Sequence, residues 1–415
     1  MFIIKLAVKN LTRHKRRVLL TASIIALAIA IFLVYDAVQL GLNKLSFDNI
    51  RDLETGDLQV VDKDYWANRE DLALDNLITP KQELMNLIQA ADYFKAAAPQ
   101  LKFSANLNNG LDELPVIAYG IKPRLHNQVF TTKDYLLQGS MLEEGSYEVL
   151  LAKKLANLMD FKVGDYSTLV FKTESESFNT IEAQITGLIH TNNPEVNSNF
   201  VYLPLGLAQE ALQVDDQVSE IVIKLSEDGL ARQVSSQLTQ RLEQFFPQLE
   251  VHSWWDSAGE ILAMSKVEEM EKLIMSGLIL LIAAVGIINT IILSSLERRK
   301  EIGMMKALGV REREIILIFM LEAAGIGLIG AVIGSLLGAA VIAYLSLYGI
   351  NLAALIGDLG DWGLPIMGKL YGVWNLSSFI FVINFAIIVS FLASILPAYW
   401  AARKDPVEAI AGRNH

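Results

Sequence analysis

Four long apolar runs limit what this chain can fold into more than any other feature of the sequence. A helix needs about 20 residues to cross the hydrocarbon core of a bilayer, and each run reaches that length. The runs are residues 18–40, 273–296, 315–347 and 376–396. A soluble protein would have to bury four helices that are apolar on every face. The sequence therefore predicts an α-helical membrane protein with four transmembrane helices.

The longest interval between two apolar runs separates the first from the second. Residues 41–257 alternate short strand-like and helix-like segments; residues 148–171, for example, have the pattern strand, amphipathic helix, Gly-Asp turn, strand. The interval is long enough to build a core of its own. We therefore predict a large α+β extracytoplasmic domain inserted between helices 1 and 2, followed by a helical stalk that leads into the second run.

Charge predicts the side of the membrane on which each segment lies. Six cations and no acid precede the first run; they are Lys5, Lys9, Arg13, Lys15, Arg16 and Arg17. Because short loops rich in Lys and Arg stay in the cytoplasm, both termini are predicted to be cytoplasmic. Residues 42–272 hold 19 Lys and Arg against 36 Asp and Glu. Such an acidic exterior makes a nucleic-acid partner unexpected, since phosphate binding needs cations.

These patterns give a predicted division of the chain. The first run is longer than the ~7–15 residues of a signal-peptide core, so we expect an uncleaved anchor. The segments are 1–17, a cytoplasmic amphipathic N-terminal helix; 18–40, transmembrane helix 1; 41–257, the extracytoplasmic domain; 258–296, the stalk plus transmembrane helix 2; 297–314, a cytoplasmic helical loop; 315–347, transmembrane helix 3; 348–375, an extracytoplasmic loop; 376–396, transmembrane helix 4; and 397–415, a cytoplasmic tail.

The sequence contains no signature of catalysis or of metal binding. It has no cysteine, and its five histidines lack the spacing of metal ligands. Residues 363–370 imitate a phosphate-binding loop, but Leu370 stands where a Ser or Thr hydroxyl must reach magnesium. We therefore expect a non-catalytic subunit with no catalytic residue, no metal ligand and no cofactor bound directly.

Small residues recur every three or four positions in the third run. Such a stripe lets two helix backbones approach closely, so it predicts helix packing at Gly327, Gly330, Gly334 and Gly338. The stripe does not say whether the partner helix belongs to the same chain or to a second copy. Asp36 and Glu322 lie near the ends of their runs, where we expect water to reach them. A proton relay would place carboxylates nearer the middle of the membrane, so a proton-driven pump is disfavoured.

A basic and apolar segment, ERRKEIGMMKALGVRERE, connects the second and third runs. The cations alone fit a solvated loop, but Ile302, Met304, Met305, Ala307 and Leu308 give it ordered apolar positions as well. A short helix with an apolar part can dock in a groove of a partner. Gly309 is the residue at which we expect this helix to end.

This segment and the ending LPAYWAARKDPVEAIAG resemble ABC transporter permeases of the MacB, LolC/LolE and FtsX class. The layout of one helix, a large exterior domain and three helices extends the resemblance over essentially the whole chain, and the exterior residues 148–165 also look like the family. Some details are similar to the LolC/LolE type, in particular the opening LAVKNLTRHKRRVLL. Met304 and Met305 depart from the family, which often has Ile, Leu or Arg there. The C-terminal family motif falls on Pro397, Ala401, Asp405 and Pro406.

The resemblance implies a coupling helix that rests on a separate ATP-binding subunit. The residues it assigns to coupling are Glu297, Arg298, Arg299, Glu301, Ile302, Gly303, Met304, Met305, Lys306, Ala307, Leu308 and Gly309. It also implies two copies of an ABC ATPase, which would hold ATP and Mg, and a second permease copy or a sister permease, all embedded in membrane lipids. MacB carries an ATPase at its own N-terminus, whereas 17 residues precede the first run here.

Three functions follow from the resemblance. The first is mechanical extraction of acylated lipoproteins from the outer leaflet of the inner membrane for delivery to a periplasmic lipoprotein carrier. The second is MacB-like efflux of peptides, toxins or drugs from the periplasm. The third is FtsX-like transmembrane signalling to cell-wall hydrolases, in a family whose exterior domain is usually smaller than the one predicted here.

Overall fold

A computed structural model describes residues 2–13, 15–257, 259–351 and 369–403. Contacts divide the chain into two compact units. The helical unit comprises the described residues of Met1–Leu42, Met264–Ile350 and Lys369–His415, and the sheet unit those of Asn43–Ala263 and Asn351–Gly368.

Helices and strands are numbered in chain order. The helices are α1 Phe2–Arg13, α2 Lys15–Ile50, α3 Lys63–Ala67, α4 Gln82–Gln89, α5 Pro123–Val129, α6 Lys153–Leu158, α7 Pro194–Asn199, α8 Leu205–Leu212, α9 Ala231–Leu242, α10 Trp254–Ser257, α11 Gly259–Glu297, α12 Arg299–Ala307, α13 Glu312–Tyr348, α14 Leu376–Ala393 and α15 Ile395–Ala402. The strands are β1 Leu58–Asp62, β2 Phe94–Asn108, β3 Glu113–Ile121, β4 Leu136–Gly139, β5 Glu148–Ala152, β6 Tyr166–Lys172, β7 Phe178–Ile189, β8 Phe200–Pro204, β9 Glu220–Leu225, β10 Leu249–Ser253, β11 Ile350–Asn351 and β12 Lys369–Leu370.

In the part of the chain that the structure describes, four helical stretches are long and apolar enough to cross a membrane. They are Val18–Thr55, Leu273–Glu297, Glu312–Tyr348 and Leu376–Ala402. The fold class predicted from the sequence is confirmed, since a mixed α+β domain is inserted between the first and the second. α2 continues ten residues beyond Leu40, the end of the first apolar run, and is followed by a π-helical turn, Arg51–Thr55. The part of this extension from Asn43 onward belongs to the sheet unit, within which the ring of Phe47 lies 5.1 Å from that of Trp254.

The glycine stripe of α13 packs against helices of the same chain. A Cβ at Gly334 would lie 2.5 Å from the carbonyl oxygen of Ala26, and one at Gly330 would lie 2.8 Å from Cβ of Ile25. Gly338 faces Leu33 of the same helix α2, whereas Gly327 faces Ser390 of α14. The stripe thus serves two neighbours within the helical unit, and three of its four glycines seat α2.

Asp36 is buried, contrary to the expectation that water reaches it. It is 5% exposed and accepts hydrogen bonds from Oγ of Ser378 (2.6 Å) and Nδ2 of Asn375 (3.1 Å). Position along a helix does not reveal these partners, because they come from the start of α14, more than 330 residues further along the chain. A carboxylate removed from water needs such donors.

The sheet unit is built on one mixed sheet of ten strands. Their order is β10-β1-β9-β2-β3-β8-β5-β7-β4, and β6 pairs with both β2 and β7. The long strand β2 pairs with β9 along its first half and with β6 along its last residues, while β3 runs antiparallel along its other side. The β3–β8 and β5–β7 pairs are parallel. Leu, Ile and Val of the strands and of α4, α6, α8 and α9 form the main core.

A buried carboxylate lies on β9, the strand between β1 and β2. Glu220 is 2% exposed and accepts hydrogen bonds from Nζ of Lys102 (2.8 Å), Nε2 of Gln59 (2.8 Å) and Nε2 of Gln100 (2.5 Å). Burial disfavours the charged form of Lys102, but attraction by Glu220 outweighs it and raises the pKa of Lys102. The charged pair is therefore retained, and each partner depends on the other.

Glu220→Ala should destabilise the sheet unit by about 3–5 kcal/mol, because it leaves the Lys102 cation buried without its partner. Pulse proteolysis of the full chain in urea measures this free energy. The control is Lys172→Ala, which breaks the exposed pair of Lys172 with Glu176 and should cost less than about 1 kcal/mol. Equal losses in the two variants would contradict the role given to Glu220.

Candidate coupling site

The nine-residue helix α12 and its turn connect two of the four long apolar helices. α12 ends with Leu308 as its C-cap, and the next residue, Gly309, has a φ of +86°. The N–H of Gly309 donates to the carbonyl of Lys306 and the N–H of Val310 to that of Met305, both at 3.0 Å. These two bonds close a Schellman turn, which favours glycine at this position. The turn therefore fixes the path from α12 to α13.

One side of α12 is buried within the helical unit. Ile302 is 4% exposed and belongs to a core cluster with Ala398, Ala401 and Ala402. Gly303 is buried and Met305 packs at the edge of the same cluster. The sequence places Ile302 on the docking part of the helix, but the structure gives it to the interior. The reason is that α15, almost 100 residues further on, covers this side.

The opposite side and the end of α12 are exposed. Leu308 is 85% exposed, Met304 is 55% exposed and Ala307 is also at the surface. Large apolar side chains at such exposure are candidates for contact with a partner. The five apolar residues of this segment are thus divided, with two turned inward and three left for a partner.

Charged side chains tie the start of α12 to its surroundings. Nη1 of Arg298 lies 2.9 Å from Oε1 of Glu322, and its Nε lies 2.8 Å from Oε2 of Glu301. Nη1 of Arg13 lies 2.8 Å from the other oxygen of Glu301, and Nδ2 of Asn10 donates to Glu322. Hydrogen bonding from Arg298 is the main cause of a lowered pKa of Glu301. Burial opposes the charge of Arg298, but the two glutamates outweigh it and raise the pKa of that guanidinium.

Three members of this network were not identified from the sequence, namely Asn10, Arg13 and Glu322. Glu322 is 6% exposed, so the expectation of contact with water was wrong. Two signals in the sequence pointed to it: a carboxylate inside an apolar helix requires a partner, and the segment ERRK supplies cations. Which cation it meets is decided by the fold.

The end of α12 has a second polar tie. Nζ of Lys306 donates to the carbonyl oxygen of Ala402 at 2.8 Å and lies 3.1 Å from Oε1 of Glu312. The bond to Ala402 joins α12 to the end of α15, where Pro397 and Ala401 of the predicted C-terminal motif are both buried. Asp405 and Pro406 of that motif lie outside the described residues, as do residues 363–368 of the imitation phosphate loop.

A groove of about 650 Å³ lies between α1 and α12. Apolar side chains and cations line it together, including Leu6, Lys9, Met304, Leu308 and Ile318. Its shape suits an apolar side chain of a partner more than a metal ion. Among the residues that the structure describes, no cluster of His, Cys, Asp and Glu has the composition of a metal site.

Two protein families and several ABC transporter permeases are similar in sequence to this chain. The FtsX-like permease C-terminal family matches residues 273–406, and the MacB-like periplasmic core domain family matches residues 18–241, more than half of the chain. The chain is 26% identical to an uncharacterized ABC transporter permease of Methanocaldococcus jannaschii over 73% of this chain and 72% of that protein. It is 25% identical to the lipoprotein-releasing system transmembrane protein LolC of Xylella fastidiosa, over 76% of this chain and 77% of that one.

A further relative is the macrolide export ATP-binding/permease protein MacB of Bartonella quintana. Identity is 20%, and the match covers 98% of this chain and 59% of that protein. The two family matches together cover both units, and these relatives are themselves ABC permeases. Both findings agree with the four apolar helices and the inserted α+β domain. The chain belongs to the MacB/FtsX class of multi-pass ABC transporter permeases.

Proposed function

We propose that a separate ABC ATPase docks on α12 and that this chain passes its movement to the membrane helices. The observation that carries the proposal is the 85% exposure of Leu308 at the end of a helix whose opposite side is buried within the helical unit. Ile302 holds α12 from within, while Arg298 and Lys306 hold its two ends. A helix held in this way moves together with its neighbours when a partner displaces it, and little of the displacement is absorbed by local rearrangement.

We further propose that the movement extracts acylated lipoproteins from the outer leaflet of the inner membrane. The support is the match with LolC, which covers about three quarters of both chains. In this scheme two ATPase copies bind ATP and Mg in the cytoplasm, where both termini of this chain also lie. A second permease copy or a sister permease completes the membrane part, and a periplasmic carrier receives the cargo from the sheet unit.

Efflux is the second candidate function. The MacB match covers 98% of this chain, including the sheet unit, so a cargo taken from the periplasm has comparable support. The two candidates share the coupling mechanism and differ in cargo and in the partner on the exterior side. A lipoprotein transporter hands its cargo to a soluble carrier, whereas an efflux pump requires a channel partner.

Purification of the tagged chain from its native membrane in nanodiscs, with mass spectrometry of everything that accompanies it, tests the proposal. An ATPase together with acylated lipoproteins is the expected result. An ATPase with a periplasmic fusion protein would replace lipoprotein release by efflux, and an ATPase with a cell-wall hydrolase would replace it by signalling. Absence of any ATPase would refute the coupling role of α12.

A further inference from the structure

Arg298 is the single residue between α11 and α12. α11 ends at Glu297 and α12 begins at Arg299, with Arg298 at φ −102° and ψ 18°. Its N–H donates to the carbonyl of Ser294 (3.1 Å), and its own carbonyl accepts from the N–H of Ile302 (2.9 Å). Backbone hydrogen bonds therefore continue across the break. The junction is compact, and its side chain is only 6% exposed.

The guanidinium of Arg298 is fixed on Glu322, about three turns into α13. Nη1 contacts both carboxylate oxygens, at 2.9 and 3.2 Å, and Asn10 of α1 donates to Oε1 of the same carboxylate. The ring of Phe319 covers the guanidinium at 5.6 Å. Separation of this pair would leave the carboxylate of Glu322 away from water without its cation, so the pair resists stretching.

The attachment at the other end of α12 is weaker. Lys306 meets a backbone carbonyl and the carboxylate of Glu312, whose side chain is 49% exposed. An ion pair in contact with water contributes little. The two ends of α12 thus differ, and the end at Arg298 is the more firmly attached to α13.

We propose that Arg298 and Glu322 form the joint through which displacement of α12 reaches α13, with Asn10 as its third member. The inference rests on the proposed docking of an ATPase on α12 and identifies the residues that relay it. Both side chains are buried, so they position α12 and do not touch the ATPase. Because Gly330 and Gly334 seat α2 directly on α13, a shift of α13 also reaches the first apolar helix.

A double variant separates the joint from a merely structural pair. R298M/E322M removes both charges and fills the space with apolar side chains, a replacement that buried ion pairs often tolerate without loss of stability. The matched control is R16M, which removes an exposed arginine at the start of α2. Glu322→Gln, which keeps the shape of the side chain, serves as a second test should the double variant not fold.

The readout is a distance inside the complex purified through a tag on this chain. This chain has no cysteine, so it is labelled, before the ATPase is added, only at cysteines introduced at the exposed positions Tyr348 of α13 and Leu376 of α14, which report movement of α13 against a helix outside the joint. The distance is measured by double electron–electron resonance, first without nucleotide and then with ATP plus vanadate. We expect an ATP-dependent change in the native chain and in R16M, and a change smaller by about fivefold or more in R298M/E322M and in Glu322→Gln. The ATPase stays bound in all four.

The possible outcomes are distinct. If the ATP-dependent change in distance in R298M/E322M equals that in the native chain, the proposed joint is refuted, because packing alone then relays the movement. If the variants lose the distance change and the bound ATPase together, the proposal is refuted as well, since the pair would then be needed for binding of the ATPase. If the native chain retains no ATPase, the proposed function fails first and the joint with it.

Discussion

Leu308→Glu is expected to weaken binding of the ATPase about 30-fold while the chain itself remains folded. Leu308 is 85% exposed at the end of α12, so a charge there disturbs nothing inside the helical unit. In a complex the same side chain would be enclosed by the partner, and loss of a central apolar contact costs about 2 kcal/mol. Burial of an unpaired carboxylate adds to that cost.

The amount of ATPase that co-purifies with the tagged chain, and the ATP hydrolysis it brings, measure this effect. Leu111→Glu is the matched control, because Leu111 is 92% exposed in the turn between β2 and β3 of the sheet unit. It should leave the ATPase bound. Undiminished binding in Leu308→Glu would remove the exposed end of α12 from the docking surface.

Gly334→Ala should destabilise the helical unit by about 2–3 kcal/mol through overpacking. The added methyl would meet the carbonyl oxygen and Cα of Ala26, at 2.5 and 2.9 Å. Both are backbone atoms, which cannot rotate away, so α2 and α13 must separate. Contact between helices in a membrane depends on such close approach.

The control for this variant is Gly277→Ala in α11, where a Cβ meets no atom within 4 Å. There the better helix propensity of alanine should leave stability unchanged or raise it by up to about 1 kcal/mol. Thermal unfolding in detergent, followed by loss of monodisperse protein, compares the two. A similar midpoint for both would show that the close contact at Gly334 contributes nothing.

The number of long helices and the inserted α+β domain were predictable because length and apolar composition alone decide them. The positions at which the helices end were not predictable in this way. From Asn43 onward α2 belongs to the sheet unit, where Phe47 packs against Trp254 and Trp255, about 200 residues further along the chain. No local pattern contains that information.

In the candidate site, too, some features could be predicted from the local sequence and others depend on distant residues. Its position in the chain and the Schellman glycine follow from sequence, since both depend on neighbouring residues. The inward turn of Ile302 depends on α15, and the burial of Glu322 depends on Asn10 and Arg298. The glycine stripe predicted a close helix contact, but only the structure assigns Gly330, Gly334 and Gly338 to α2 and Gly327 to α14.

The seating of α2 on α13 also sets an order of events during synthesis. Roughly 270 residues separate the end of the first apolar stretch from the start of α13, which is about 15–55 s of elongation at ~5–20 residues per second. The ribosome therefore delivers residues 43–263 of the sheet unit before α13 brings its glycines to the side of α2 that includes Ala22, Ile25, Ala26, Ala30 and Leu33. These side chains are all apolar, so lipid can cover that side of α2 until α13 is inserted, with no polar group left unsatisfied. The contact between α2 and α13 therefore forms only after α2 has been inserted and residues 43–263 have been synthesised.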